Sequence, residues 1–97
     1  MTFVMMYNTK VKSGMEAQLS ELRAEFKSIY EEHGVKVVGQ WVCASNPRET
    51  LYMTQFESEE DYNSKIAALH ENERYLKLSA QLNAIRVEFR ATRLISH

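Results

Sequence analysis

Tyr7, Trp41, Tyr52, His70 and Arg90 are the side chains whose types lend themselves to chemistry. A guanidinium such as Arg90 holds an enolate, carboxylate or phenolate, and a tyrosine hydroxyl relays a proton. An imidazole such as His70, lying at an interruption in a helical pattern, serves as a base next to a pocket that a mobile segment gates. Trp41 stacks on a flat aromatic substrate. Each has a plainer reading. Arg86, Glu88 and Arg90 form an inter-subunit network, since interface arginines commonly pair with carboxylates. Trp41 packs in an apolar strand, and His70 complements the negative end of a helix dipole. Cys43, with Arg48 as its nearest cation and no base in view, reads as an inert thiol. His70 and Glu73, three apart, are too few and too mixed for a metal site, so no metal is expected. Met1, Met5, Met6, Met15 and Met53 serve as adaptable fillers of core or pocket, and His97 ends the chain without a role. There is no Gly-rich phosphate loop, Ser-His-Asp order or paired-carboxylate motif, and no cofactor is expected.

Composition bounds what these residues can belong to. At 97 residues the chain reads as one domain, 1–97, able to bury about 65% of its unfolded surface without staples. Twelve Lys and Arg against 13 Asp and Glu leave a net charge of -1, which gives no electrostatic reason to bind nucleic acid or an acidic membrane. A single cysteine excludes an internal disulfide and fits the reducing cytoplasm. No apolar run reaches the roughly 18 residues of a membrane span, and the opening MTFVMMYNTK lacks the features of a signal peptide.

The elements follow from periodicity. Residues 2–11 are apolar or aromatic on both alternation sets, which predicts a strand covered on both faces. Ser13-Gly14-Met15-Glu16 fits a capping box, and Met15, Leu19, Leu22, Phe26, Ile29 and Tyr30 then form one stripe, with Arg23 and its charged neighbours facing elsewhere. Gly34 closes this helix, predicted at about 14–33. Residues 35–44 are β-branched and predict a second strand. SNPRE at 45–49 is the turn, and 51–57 the return strand of a hairpin. Ser58-Glu59-Glu60-Asp61 opens a second helical region that breaks at His70-Glu71-Asn72-Glu73 into two pieces. Residues 84–95 alternate strictly, with Ile85, Val87, Phe89 and Ala91 on one side and Arg86, Glu88, Arg90 and Thr92 on the other.

The order β-α-β-β-α-β predicts an α+β, ferredoxin-like subunit with an antiparallel four-stranded sheet and its helices on one face. The other face is left bare. Phe3, Met5, Tyr7, Tyr52 and Phe56 on it would exceed the apolar patch a monomer tolerates. A second copy is the simplest cover, closing a dimeric α/β barrel that leaves cavities between its layers.

The strand running into KVKSG at 10–14, the VxVVGQW segment at 35–41 after a His-Gly, the turn NPRE, and QFESEEDY at 55–62 resemble the NIPSNAP-like family of the dimeric α+β barrel superfamily. Gly39-Gln40-Trp41 and Phe56 to Asp61 stand where that family places a glycine-x-tryptophan and an aromatic strand running into an acidic helix start. The resemblance implies a small homodimer, possible higher association included, with a cavity between helices and sheet or inside the barrel. It implies that Tyr7 and Tyr52 face the barrel, where Arg86, Glu88 and Arg90 join them if the apolar set of the last strand faces its own helices. The superfamily also includes cofactor-independent monooxygenases, isomerases and haem-degrading enzymes. By that analogy Asn8 binds a dioxygen-bearing substrate and joins Tyr7 and His70 as a catalytic candidate. Lys65 and Tyr75 replace the tryptophan and histidine of the haem-degrading branch, which removes that chemistry. The reading is therefore a small apolar or aromatic molecule bound by Tyr7, Trp41, Tyr52 and Arg90. The alternatives are a cofactor-independent monooxygenase or isomerase, and an assembly module without ligand.

Overall fold

Phe3 to Val11 form strand β1, and its even and odd residues meet quite different surroundings. The computed structural model describes residues 2–96; Met1 and His97 lie outside the described residues. After β1 come α1 (Glu16–Glu32), β2 (Lys36–Cys43), β3 (Asn46–Phe56), α2 (Glu59–Leu69), α3 (Glu73–Ile85) and β4 (Arg86–Ile95). The four strands make one sheet in the order β2-β3-β1-β4, every pair antiparallel, which is the ferredoxin-like arrangement expected. The second helical region is indeed broken into α2 and α3.

Helix α1 buries Leu19, Leu22, Phe26, Ile29 and Tyr30 against the sheet. It ends in a Schellman motif: Val35 N–H donates to Tyr30 O at 2.8 Å and Gly34 N–H to Glu31 O at 3.1 Å. Gly34 takes φ of 73°, which a side chain would resist. The start of α1 differs from expectation. Gly14, with φ of 84°, turns the chain so that Met15 N–H donates to Lys12 O at 3.1 Å. Met15 then occupies the cap position with no side-chain bond, while Ser13 is exposed within the preceding turn. At α2 the cap forms as expected. Ser58 Oγ accepts from Asp61 N–H at 3.0 Å, and Asp61 Oδ2 accepts from Glu57 N–H at 3.0 Å. The Glu57 N–H bond and Lys65 at 3.2 Å hold the Asp61 carboxyl below its ordinary range. Lys65 also donates to Gly34 O at 3.1 Å, which ties α2 to the end of α1. Asn72 caps α3 through Tyr75 N–H at 3.0 Å.

The hairpin also departs from expectation. The chain reverses at Ala44 and Ser45, and β3 begins at Asn46 rather than Leu51. Val42 pairs with Thr50 but Cys43 with Asn46, so residues 47–49 bulge from the ladder. Pro47 has no N–H to contribute, and an interrupted ladder is where a strand accommodates it.

The largest correction concerns which face is covered. Phe3, Met5, Tyr52 and Phe56 are buried beneath the helices, with Tyr7 partly buried beside them; they are not the bare set. Their aromatic rings pack on helix aromatics: Phe3 and Phe56 lie 5.3 and 5.1 Å from Tyr62, and Tyr52 lies 6.2 Å from Tyr30. Register then turns Val4, Met6, Asn8, Leu51, Met53, Gly39, Trp41, Arg90 and Leu94 to the open face. Arg86 is not with them. Lys10 pairs with Glu88 and Val11 with Arg86, so Val87 is an extra residue, 50% exposed, and the bulge rotates Arg86 to the helix side.

The two serines make a matched test of the helix starts. Ser58→Ala is expected to cost about 1 kcal/mol of stability, whereas Ser13→Ala should change it by less than about 0.5 kcal/mol. Urea unfolding followed by circular dichroism distinguishes them, and equal losses would contradict the cap assignment.

Candidate functional site

A cavity of about 180 Å³ lies between α1, α3 and the central strands, lined by Tyr7, Arg23, Phe26, Tyr30, Tyr75, Ser79, Leu82, Arg86 and Phe89. Strand β1 supplies Tyr7 by its odd-numbered set, and β4 brings Phe89 alongside, the two rings stacked at 6.0 Å and 16°. Phe26 and Tyr30 come from the α1 stripe, and Tyr75 meets them edge-on at 5.7 and 6.2 Å. The walls combine aromatic rings with two guanidiniums, three phenol hydroxyls and the Ser79 hydroxyl, and there is room for roughly one ring rather than a large molecule.

Arg23 is the residue that the sequence pattern misplaced. It is 8% exposed rather than turned to solvent. It follows Leu19 by four residues and precedes Phe26 by three and Tyr30 by seven, so the helical period sets it on the buried row. A charge on that row was the available signal. Its Nη2 donates to Thr9 Oγ1 at 3.2 Å, and its guanidinium lies 4.5 Å from the Tyr52 ring centroid. Burial lowers its proton affinity, as it does for Arg86, whose guanidinium sits 4.0 Å over the Phe89 ring. An arginine starts from so high a value that both remain cationic.

Around Arg23 the tyrosines are held neutral. Burial pushes Tyr52 up to about 12, against the pull of the nearby Arg23 charge. Burial also raises Tyr7 and Tyr30, with neighbouring tyrosines adding to the effect. The Tyr52 hydroxyl and Thr54 Oγ1 are buried without a hydrogen-bond partner. Unpaired buried hydroxyls are uncommon, and here they lie on the same sheet face as the cavity.

The other residues singled out from sequence do not converge on this cavity. Asn8 is exposed on the opposite side of the sheet from Tyr7, near Glu49, Glu88 and Arg90 around a shallow depression. Tyr52 lies under Arg23 rather than on the cavity wall. His70 is exposed at the junction of α2 and α3, its ring 6.0 Å from Tyr75, which alone links it to the site. Trp41 is 50% exposed and borders a wider groove of about 390 Å³ between α1 and the β2–β3 hairpin. Its indole folds back over Gly39, where a Cβ would come within 2.8 Å of the ring; the glycine makes room for the tryptophan two residues on. Cys43 is partly buried, and a contact of 3.4 Å with Ser45 Oγ draws its thiol below the ordinary range. Among the described residues no group of three or more His, Cys, Asp or Glu is placed to hold a metal. Among those residues, too, no helix is long and apolar enough to cross a membrane.

No protein-family model matches the chain, and no curated protein does. Solved structures do match it in fold. A NIPSNAP family protein from Agrobacterium tumefaciens str. C58 superposes with a TM-score of 0.88 at 17% identity, over 100% of this chain and 94% of that one. An uncharacterized NIPSNAP domain protein from Burkholderia xenovorans gives 0.85 at 10% identity, over 98% and 94%. SnoaB, a cofactor-independent oxygenase from Streptomyces nogalater, gives 0.80 at 9% identity, over 98% and 92%. The chain thus has the ferredoxin-like fold that NIPSNAP proteins and such oxygenases share.

The tyrosine environment predicts the alkaline limit of the fold. Tyr52 binds its proton more tightly folded than unfolded, so its contribution is fully present below about 10 and is lost as pH rises toward about 12. An alkaline titration should show the phenolate absorbance of the buried tyrosines rising together with loss of circular dichroism. Ionisation of all five tyrosines with the fold intact would contradict it.

Proposed function

We propose that this chain acts as one unit over residues 1–97, a cytoplasmic homodimer that binds a small apolar or aromatic molecule beneath its helices. The observation that carries the reading is the cavity of about 180 Å³, walled by four aromatic rings from α1, α3 and β1 and a fifth from β4. In this reading binding occurs on the helix side of the sheet, with Tyr7 and Phe89 as the flat wall. Trp41 and Arg90, on the other face, are then assigned to subunit contact. Val4, Met6, Leu51, Met53, Trp41 and Leu94 give that face an apolar character suited to a second copy. An assembly role without ligand needs Arg86, Glu88 and Arg90 paired across a two-fold axis, and the β4 bulge removes Arg86 from that set.

A second reading, a cofactor-independent monooxygenase or isomerase, draws support from the likeness to SnoaB and from the neutral Tyr7 hydroxyl in the cavity. In that reading Tyr7 gives or relays a proton to the bound molecule. Dioxygen uptake with electron-rich phenols, lost in Tyr7→Phe, is its expected signature; no uptake would remove the oxygenase arm.

Native mass spectrometry of freshly purified protein tests the main reading. A dimer carrying a releasable small adduct is expected, with the adduct absent from Ser79→Phe, whose ring would occupy the cavity. If neither an adduct nor added phenol binds, the reading falls. Met53→Lys should yield a folded monomer in sedimentation, because it places a charge on the open face; an unchanged dimer would move the interface elsewhere.

A further inference from the structure

Arg23 and Arg86 line the same cavity, one from α1 and the other from the bulge that opens β4. Neither has a carboxylate within 4.0 Å among the described residues, although Lys27, Lys65, Arg74 and Arg93 each have one. No residue of the cavity wall is acidic. Two like charges thus share an aromatic-walled space, Arg23 buried and Arg86 partly so, with no acidic residue among those that line it. A buried guanidinium that is not paired is costly, and a leucine would satisfy the period of α1 equally well. Of the five N–H donors on the Arg23 guanidinium, one is bonded to a protein acceptor, the Thr9 hydroxyl, at 3.2 Å. The remaining planar fork matches a carboxylate, which it can hold through two parallel bonds.

From this geometry, and resting on the reading of the cavity as a binding site, we infer that its ligand is a small aromatic carboxylate. The carboxylate takes the place of the missing counter-ion on Arg23, with Arg86 neutralising it from the other wall. The ring lies against Tyr7 and Phe89, whose stacked planes offer it a flat surface. The volume of about 180 Å³ suits a single ring with its acid group. Selectivity then comes from charge more than from shape. A cationic ring of the same size meets two guanidiniums, and a neutral one leaves them unpaired.

Calorimetric titration of the wild-type protein at neutral pH with benzoate, benzyl alcohol and benzylammonium tests the inference. Benzoate is expected to bind at least tenfold more tightly than the alcohol, and benzylammonium not at all. Arg23→Met should reduce the benzoate preference to less than twofold while retaining the alcohol. Arg86→Gln should weaken benzoate severalfold. Without ligand, Arg23→Met should melt at or above the wild-type temperature, because it removes an uncompensated charge. Benzoate binding no tighter than the alcohol would overturn the anion inference while leaving the cavity as a binding site. Failure of all three probes to bind would overturn both. A large fall in the Arg23→Met melting temperature would make Arg23 a structural residue and also defeat the inference. The comparison within the wild type decides the matter even if that variant does not fold.

Discussion

The two-residue period of β1 at the sheet centre is the constraint on which the site depends. Odd-numbered residues from Phe3 to Val11 point under the helices, and even-numbered ones point to the open face. A shift by one residue would exchange Tyr7 for Asn8 in the cavity and expose the aromatic core. The helices hold the register. Tyr30 and Tyr62 present rings that Phe3, Tyr52 and Phe56 meet at 5.1 to 6.2 Å, and Phe26 and Tyr75 pack against Tyr30 behind them. Against them the smaller Val4, Met6 and Met53 would leave voids.

Of the three interruptions of the ladder, one lies at Val38 in β2 and the other two adjust what the regular sheet would do near the site. The extra residue Val87 turns Arg86 toward the cavity, although strict alternation would put it beside Glu88 and Arg90. The bulge at 47–49 accommodates Pro47 and lets Arg48 Nε reach Val11 O at 2.9 Å, securing the end of β1. Both irregularities lie toward the same end of β1, so this is where the sheet departs most from a regular framework.

Arg23 shows how the site and the fold oppose one another. Its contacts with Thr9 and Tyr52 offset part of the cost of burying a charge, but neither partner carries an opposite charge. The unpaired hydroxyls of Tyr52 and Thr54 add to the same local deficit. Elsewhere the packing follows ordinary rules: capped helices, a Schellman turn and an apolar core. These departures from good packing gather around Arg23, and groups not satisfied within the protein are the ones left with capacity to bond elsewhere.

The sequence by itself determined the elements and their order, because helical and strand periods, the Ser58 cap and the Gly34 terminus act over a few residues. It also made Tyr7 a candidate by type, and the broken helix at His70 was legible from its polar run. Parity of the strands was not legible, since both alternation sets of β1 are apolar and either could have faced the helices. Only the tertiary structure decided that, through the aromatic rings contributed by α1, α2 and α3. It likewise set Asn8, Trp41 and Arg90 on the sheet face opposite Tyr7 and brought Arg86 beside Tyr7 through a bulge that no local pattern announces. Arg23 lay between these cases: its place on the buried row follows from helical arithmetic, but its meaning depends on the absence of an acid across the cavity. That absence is a property of residues distant in the chain, and only the packing of α1 and α3 on the sheet brings them together.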